Sequence, residues 1–230
     1  MLNVDLHRTN LVKILKAIYS DKELRTALGF KGGTAAFLFY NLPRFSVDLD
    51  FDLLSLQKED LVYERLGKVL LQFGKVDPVK KKNTLFFLVD YGRGERKIKV
   101  EVSRRPTKAC FGVRQYLGLA VLVMEPSSMI SAKLVALLSR RRFAMRDLYD
   151  LWFFLNKGWK FDENFVEEAL GVNLKTVLNK ALEFTESLKD NQLLQGLGEL
   201  LDNKGKDWVK RSLKSEVKFL LGLKLPKQLP

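Results

Sequence analysis

The sequence predicts an α+β fold, a mixed sheet flanked by helices in the first half of the chain and a mostly helical region after it. Three observations lead there. Two short segments, Val47–Phe51 and Lys97–Ser103, alternate apolar and polar residues at the period of a strand. Apolar residues recur at helical spacing before and between them. From Pro126 onward helical periodicity replaces the strand signals, so the expected domains are residues 1–125 and 126–230.

Taken in order, Leu11, Ile14, Leu15, Ile18 and Tyr19 form the apolar stripe of a first helix. Gly32, Gly33 and Thr34 then make a turn with no bulky side chain at the glycines, which leaves backbone N–H groups open to phosphate oxygens. Ala35 to Leu42 is apolar and reads as a helix whose N-terminus adds a dipole favourable to an anion. In the following strand Asp48 and Asp50 project to one face, and Val47, Leu49 and Phe51 to the other. Carboxylates at alternate strand positions lie about 7 Å apart. They can share divalent ions. Asp52 continues the polar face and rivals them for the same role.

Lys58 to Phe73 reads as a further helix, and strands are expected around residues 84–90 and 97–103. Glu101 falls on the polar face of the second of these strands and is a candidate carboxylate. Asp90 competes from a strand end, just before the Gly92-Arg93-Gly94 turn. The core is expected to close near Arg105 and Pro106, with a partly extended segment from Thr107 to Val123. In the helical half, Ser127 or Ser128 is expected to cap a helix running to about Arg142, with Lys133, Leu137 and Arg140 on related turns. Asp147 to Leu155 forms the next helix, with Asp147 and Asp150 on one face. Later helices are expected over roughly 161–169, 174–188 and 208–221.

A formal charge of +13 favours polyanionic partners, whether nucleotides, nucleic acid or an acidic protein. The one cysteine, Cys110, rules out an internal disulfide and fits a reducing cytoplasm. The one histidine, His7, lies in a polar N-terminal segment and is expected to be exposed. Histidine-pair catalysis and a multi-histidine zinc site are thereby set aside, and the chemistry falls to carboxylates, lysines, arginines and metal. No secretory segment is expected, and the longest apolar run, Leu117 to Met124, has eight residues, too few to span a bilayer. A cytoplasmic protein without a membrane partner is expected.

The order of Gly32-Gly33-Thr34 and then Asp48 and Asp50, with thirteen residues separating Thr34 from Asp48, resembles the pattern of the polymerase-beta-like nucleotidyltransferase superfamily. The later block SAKLVALLSRRRFAMRDLYDL, carrying Lys133, Arg140, Arg146, Asp147 and Asp150, is similar to the AbiEii-type nucleotidyltransferase toxins of type IV toxin-antitoxin systems. So is the earlier block GGTAAFLFYNLPRFSVDLDF, including Arg44 and Ser46. Matching blocks span about Lys31 to Leu155.

The resemblance implies a polymerase-beta-like core and metal-dependent transfer of a nucleoside monophosphate from an NTP to an acceptor hydroxyl. It implies Mg2+ or Mn2+ on Asp48, Asp50 and Glu101, with Lys133 and Asp147 completing the catalytic set from the helical domain. Gly32, Gly33, Thr34, Arg44, Ser46, Lys133 and Arg140 would bind the nucleotide. RNA is the implied acceptor, tRNA in the better-understood members, and a cognate antitoxin the implied partner. The basic segment with Lys204, Lys206, Lys210, Arg211, Lys214 and Lys218 would suit a phosphate backbone. Two other readings remain open, a transferase acting on an aminoglycoside-like small molecule or a protein hydroxyl, and a noncatalytic nucleic-acid-binding module. Intact carboxylates weigh against the module, and a strongly basic helical half weighs against the small molecule.

Overall fold

The computed structural model describes residues 3–92, 94–140 and 143–225; Arg93, Arg141 and Arg142 of the sequence reading lie outside them. The chain divides into two compact units, Met1–Met124 and Glu125–Pro230.

The first unit runs through helices α1 (Val4–Ser20) and α2 (Leu24–Ala27), strand β1 (Leu28–Lys31), helix α3 (Gly32–Tyr40), strand β2 (Leu49–Leu53) and helix α4 (Glu59–Leu70). Strands β3 (Lys75–Lys81), β4 (Thr84–Asp90), β5 (Ile98–Ser103), β6 (Phe111–Tyr116) and β7 (Leu119–Met124) follow. They form one mixed seven-stranded sheet in the order β3-β4-β5-β2-β1-β7-β6. The pairs β2–β5 and β1–β7 are parallel and the rest antiparallel.

One face of this sheet is apolar. Leu28, Phe30, Leu49, Phe51, Leu85, Phe87, Val100 and Val102 are fully buried on it. The stripe expected on the first helix is buried too, and Val62, Leu66 and Leu70 form its counterpart on α4. Rings bring these helices onto the sheet, with Tyr19 centred 6.4 Å from Phe51 and Tyr63 5.4 Å from Phe87. The opposite face therefore keeps the alternating polar residues, Asp50 and Glu101 among them, at half-buried positions.

The sheet does not close near Arg105. Phe111 to Met124 forms a hairpin, and β7 joins β1 through the Phe30–Val123 pair. Its turn places Leu117 and Gly118 at φ 49° and 75°, the left-handed pair that a two-residue hairpin needs.

In the second unit, α5 (Pro126–Ser139) starts without the expected serine cap. Pro126 takes the first helical position after Glu125, and Ser128 lies buried inside the helix. The helix stops at Ser139, which makes Arg140 its C-terminal boundary. Then come α6 (Met145–Asn156), α7 (Glu163–Leu170), α8 (Leu174–Ser187), α9 (Asn203–Trp208), a π-helical turn Val209–Leu213 and α10 (Lys214–Gly222). Leu134, Leu148, Leu151, Phe154, Ala181, Val209, Leu213, Val217 and Leu221 build the core of this unit. Among the described residues no helix is long and apolar enough to cross a membrane.

Candidate active site

The polar face of the first unit gathers its carboxylates by strand register. β2 and β5 run parallel with Asp50 opposite Glu101, so the two side chains leave neighbouring strands side by side and on one face. Strands in a sheet are about 4.8 Å apart. On the far side of β2, Lys31 of β1 stands opposite Asp50. Asp48 precedes β2 by one residue and follows the same alternation, and its Oδ2 lies 3.6 Å from Lys99 Nζ. Asp90 does not join them. It sits at the far end of β4, four residues of register from Glu101, with Lys97 Nζ 3.1 Å away. The Gly92 N–H, followed by Lys97, holds its carboxyl below the usual range.

The glycine turn proves to be the first turn of α3 itself. Lys31 occupies the N-cap position and gives no side-chain cap. Gly32 adopts φ +79°, and a Cβ at this residue would stand 2.5 Å from Asp50 Oδ2. A Cβ at Gly33 would stand 2.7 Å from Arg44 Nη2 and 2.8 Å from Ser46 Oγ. Absence of side chains at both glycines is thus what lets the helix start, Asp50, Arg44 and Ser46 come together. An open helix N-terminus beside a cation attracts an anion.

Thr34 lies behind this surface rather than on it. It is fully buried, and its hydroxyl donates to the Asp48 carbonyl and lies 2.9 Å from Ser46 Oγ. The resemblance counts Thr34 among the nucleotide-binding residues; its hydroxyl ties the turn to the strand that carries Asp48. Arg44, at 4% exposure, donates from Nη1 to the Phe45 carbonyl at 2.9 Å, and Ser46 is likewise buried. Asp52 is buried and paired with Lys31.

His7 departs from the sequence reading. It is fully buried, with Nε2 2.9 Å from the Val47 carbonyl and Nδ1 2.9 Å from the Tyr91 hydroxyl. A carbonyl only accepts, so Nε2 carries the proton and the neutral ring accepts from Tyr91. Burial holds the imidazole below its ordinary pKa, against the opposing pull of the Val47 carbonyl. His7 therefore pins the backbone next to Asp48, and its partners lie 40 and 84 residues away, beyond any local signal.

Among the described residues no group of three or more His, Cys, Asp or Glu side chains converges as a ready metal cage. The donor set still fits Mg2+ or Mn2+: carboxylate oxygens only, two of them adjacent by register. Mg2+ is commonly held by one or two carboxylates together with substrate phosphates and water.

The later motif forms its own buried cluster in the second unit. Lys133 Nζ lies 2.8 Å from Asp147 Oδ1 and 2.7 Å from Asp150 Oδ2, and Arg140 Nη1 lies 2.7 Å from Asp147 Oδ2. Both aspartates are almost wholly buried, and α6 places them one turn apart facing α5. The Arg140 contact is electrostatic, since Asp147 Oδ2 has no aligned hydrogen bond.

The mixed sheet with its flanking helices is a nucleotidyltransferase fold. The family described as "Nucleotidyl transferase AbiEii toxin, Type IV TA system" matches residues 13–208, and the chain belongs to that family. The fold is similar to that in the crystal structure of JHP933 from Helicobacter pylori, with TM-score 0.60 and 20% identity, covering 97% of this chain and 93% of that one. An antigenic nucleotidyltransferase-like protein from Paracoccidioides brasiliensis is also similar, with TM-score 0.50 and 15% identity over 77% of this chain and 91% of that one. Among curated proteins none matches.

Proposed function

We propose that the chain transfers a nucleoside monophosphate from an NTP to a hydroxyl of RNA, with tRNA the leading acceptor, as the toxin of a type IV pair restrained by a cognate antitoxin. The observation that carries the reading is the Asp50–Glu101 register beside Gly32 and Gly33. Family membership supports the toxin role and the antitoxin partner. The net charge of +13 supports a polyanionic acceptor over a small molecule.

In this reading the Gly32, Gly33 and Thr34 amides bind phosphate oxygens, with Arg44 adding buried positive charge behind the turn. Asp50, Glu101 and Asp48, together with the nucleotide, would hold Mg2+ or Mn2+, which would supply positive charge beside the reacting phosphates. Thr34, Ser46 and His7 keep the Asp48 segment in place. Glu101 accepts the proton of the acceptor hydroxyl as that oxygen bonds to the α-phosphorus. The bond to the bridging oxygen breaks, and pyrophosphate leaves.

The test is to incubate the purified chain with Mg2+, each α-labelled NTP in turn, and total RNA or protein extract. Label at the size of tRNA supports the reading. Label confined to protein or to small molecules overturns the RNA acceptor. No label in any fraction, with Asp50→Asn indistinguishable from wild type in cells, overturns the enzyme.

A further inference from the structure

The second unit carries an aromatic and cationic surface that the transfer chemistry does not use. Trp152 of α6 and Trp208 at the end of α9 meet with ring centroids 4.1 Å apart and planes inclined by 43°. Tyr149 lies beneath them, buried, 5.3 Å from Trp152 and 6.3 Å from Trp208. Both indoles keep part of their surface exposed. Nε1 of Trp152 is buried without a hydrogen-bond partner, so ring packing rather than a polar anchor holds this indole.

Cations lie along the same helical run. Lys204 lies one turn before Trp208 and Arg211 about one turn after it, whereas Lys206 and Lys210, two residues to either side, face away from the ring. Lys204, Lys206 and Lys210 make no ion pair among the described residues. Their neighbours do have partners: Lys214 donates to the Leu188 carbonyl at 2.6 Å and Lys218 meets Glu186 at 2.8 Å. Of the nearby carboxylates, Asp202 accepts from the Gly205 N–H at 2.7 Å as the N-cap of α9, and Asp207 lies exposed within the run. Immediately after Trp208 the backbone widens into the π-helical turn Val209–Leu213, a form often found at functional sites.

We infer that Trp152 and Trp208, with Lys204 and Arg211, form a docking platform for single-stranded RNA, on which an unpaired base stacks while the cations take the flanking phosphates. Nucleobases stack on aromatic faces, and basic grooves track the backbone beside them. An acidic peptide would use the cations but has no base for the indoles, which is why RNA fits better. The inference rests on the reading that RNA is the acceptor, so binding and transfer are measured separately.

The experiment follows the anisotropy of an end-labelled oligouridylate titrated with the full chain. Trp208→Ala weakens binding about 10-fold, and Trp208→Phe restores most of it. The surface double variant Lys204→Ala, Arg211→Ala lowers the slope of log affinity against log salt by about 1.4. It keeps the test open even where Trp208→Ala unfolds. Unchanged affinity in Trp208→Ala with an unchanged slope in the double variant overturns the platform, as does equal competition by an acidic peptide of matched charge. Platform binding without nucleotide transfer to RNA would sustain the platform and refute the acceptor. Transfer to RNA with an unchanged KM for RNA in Trp208→Ala would refute the platform alone.

Discussion

Asp50 and Glu101 stand opposite each other on adjacent parallel strands, one carboxylate from β2 and one from β5. Neighbouring carboxylates repel unless positive charge stands between or beside them, and the phosphates' counter-ion is such a charge. Asp50→Asn and Glu101→Gln should each lower nucleotide transfer at least about 100-fold with little loss of stability. Asp52→Asn should behave oppositely. It strips Lys31 of a buried partner, costing about 1–3 kcal/mol, while the rate falls far less. Label-transfer rates measured beside urea unfolding separate the two classes.

Gly32 offers a sharper geometric test. An added Cβ meets Asp50 at 2.5 Å on a backbone at φ +79°, whereas one at Gly118, φ +75°, meets nothing within 4 Å. Both alanine variants pay the same conformational strain, about 1 kcal/mol. Only Gly32→Ala also displaces the carboxylate, so it alone should lose activity by about 10-fold or more. Equal activity in the two variants would separate Asp50 from the turn.

The buried His7 ties stability to pH. Burial lowers its folded pKa, so the unfolded chain takes up a proton near pH 6.5 while the folded chain resists. The contribution is fully present above about pH 6.5 and is lost as pH falls toward the lowered folded value. The groups around the ring are Val47, Tyr91, Arg96 and Asp48. Urea unfolding across this window should show stability declining with acid in the wild type, and the decline should flatten in His7→Gln.

Lys133 joins Asp147 and Asp150, and its loss leaves two buried carboxylates facing each other. Lys133→Ala should therefore cost about 3–5 kcal/mol. Asp150→Asn should cost less, because Lys133 keeps Asp147. The reverse ranking in chemical denaturation would mean that the lysine is not the charge that holds the cluster.

Much of this site was legible in the sequence because it depends on local periodicity. Asp48, Asp50 and Glu101 alternate with apolar residues that the core demands, and the glycines mark a turn that side chains would obstruct. What alternation cannot state is register, and it is register that makes Asp50 and Glu101 neighbours. Four strands were hidden, for three separate physical reasons. β1 is four residues long and buried over most of its length, so it shows no alternation. β3 is an exposed edge strand with Pro78 and several lysines, a composition that guards edges and reads as loop. The β6–β7 hairpin turns at Leu117-Gly118, where the common signal is Asn-Gly or Asp-Gly. His7 was misread because its burial comes from Val47 and Tyr91, remote in sequence.

The central claim is that the in-register carboxylate pair drives nucleotide transfer, and one measurement addresses it most directly. Wild type, Asp50→Asn and Glu101→Gln, matched for folded fraction, are each mixed with Mg2+, an α-labelled NTP and purified tRNA, and label bound to RNA is followed in time. The expected result is label on RNA with the wild type and a loss of at least about 100-fold in both variants. Transfer at the wild-type rate by either variant would contradict it.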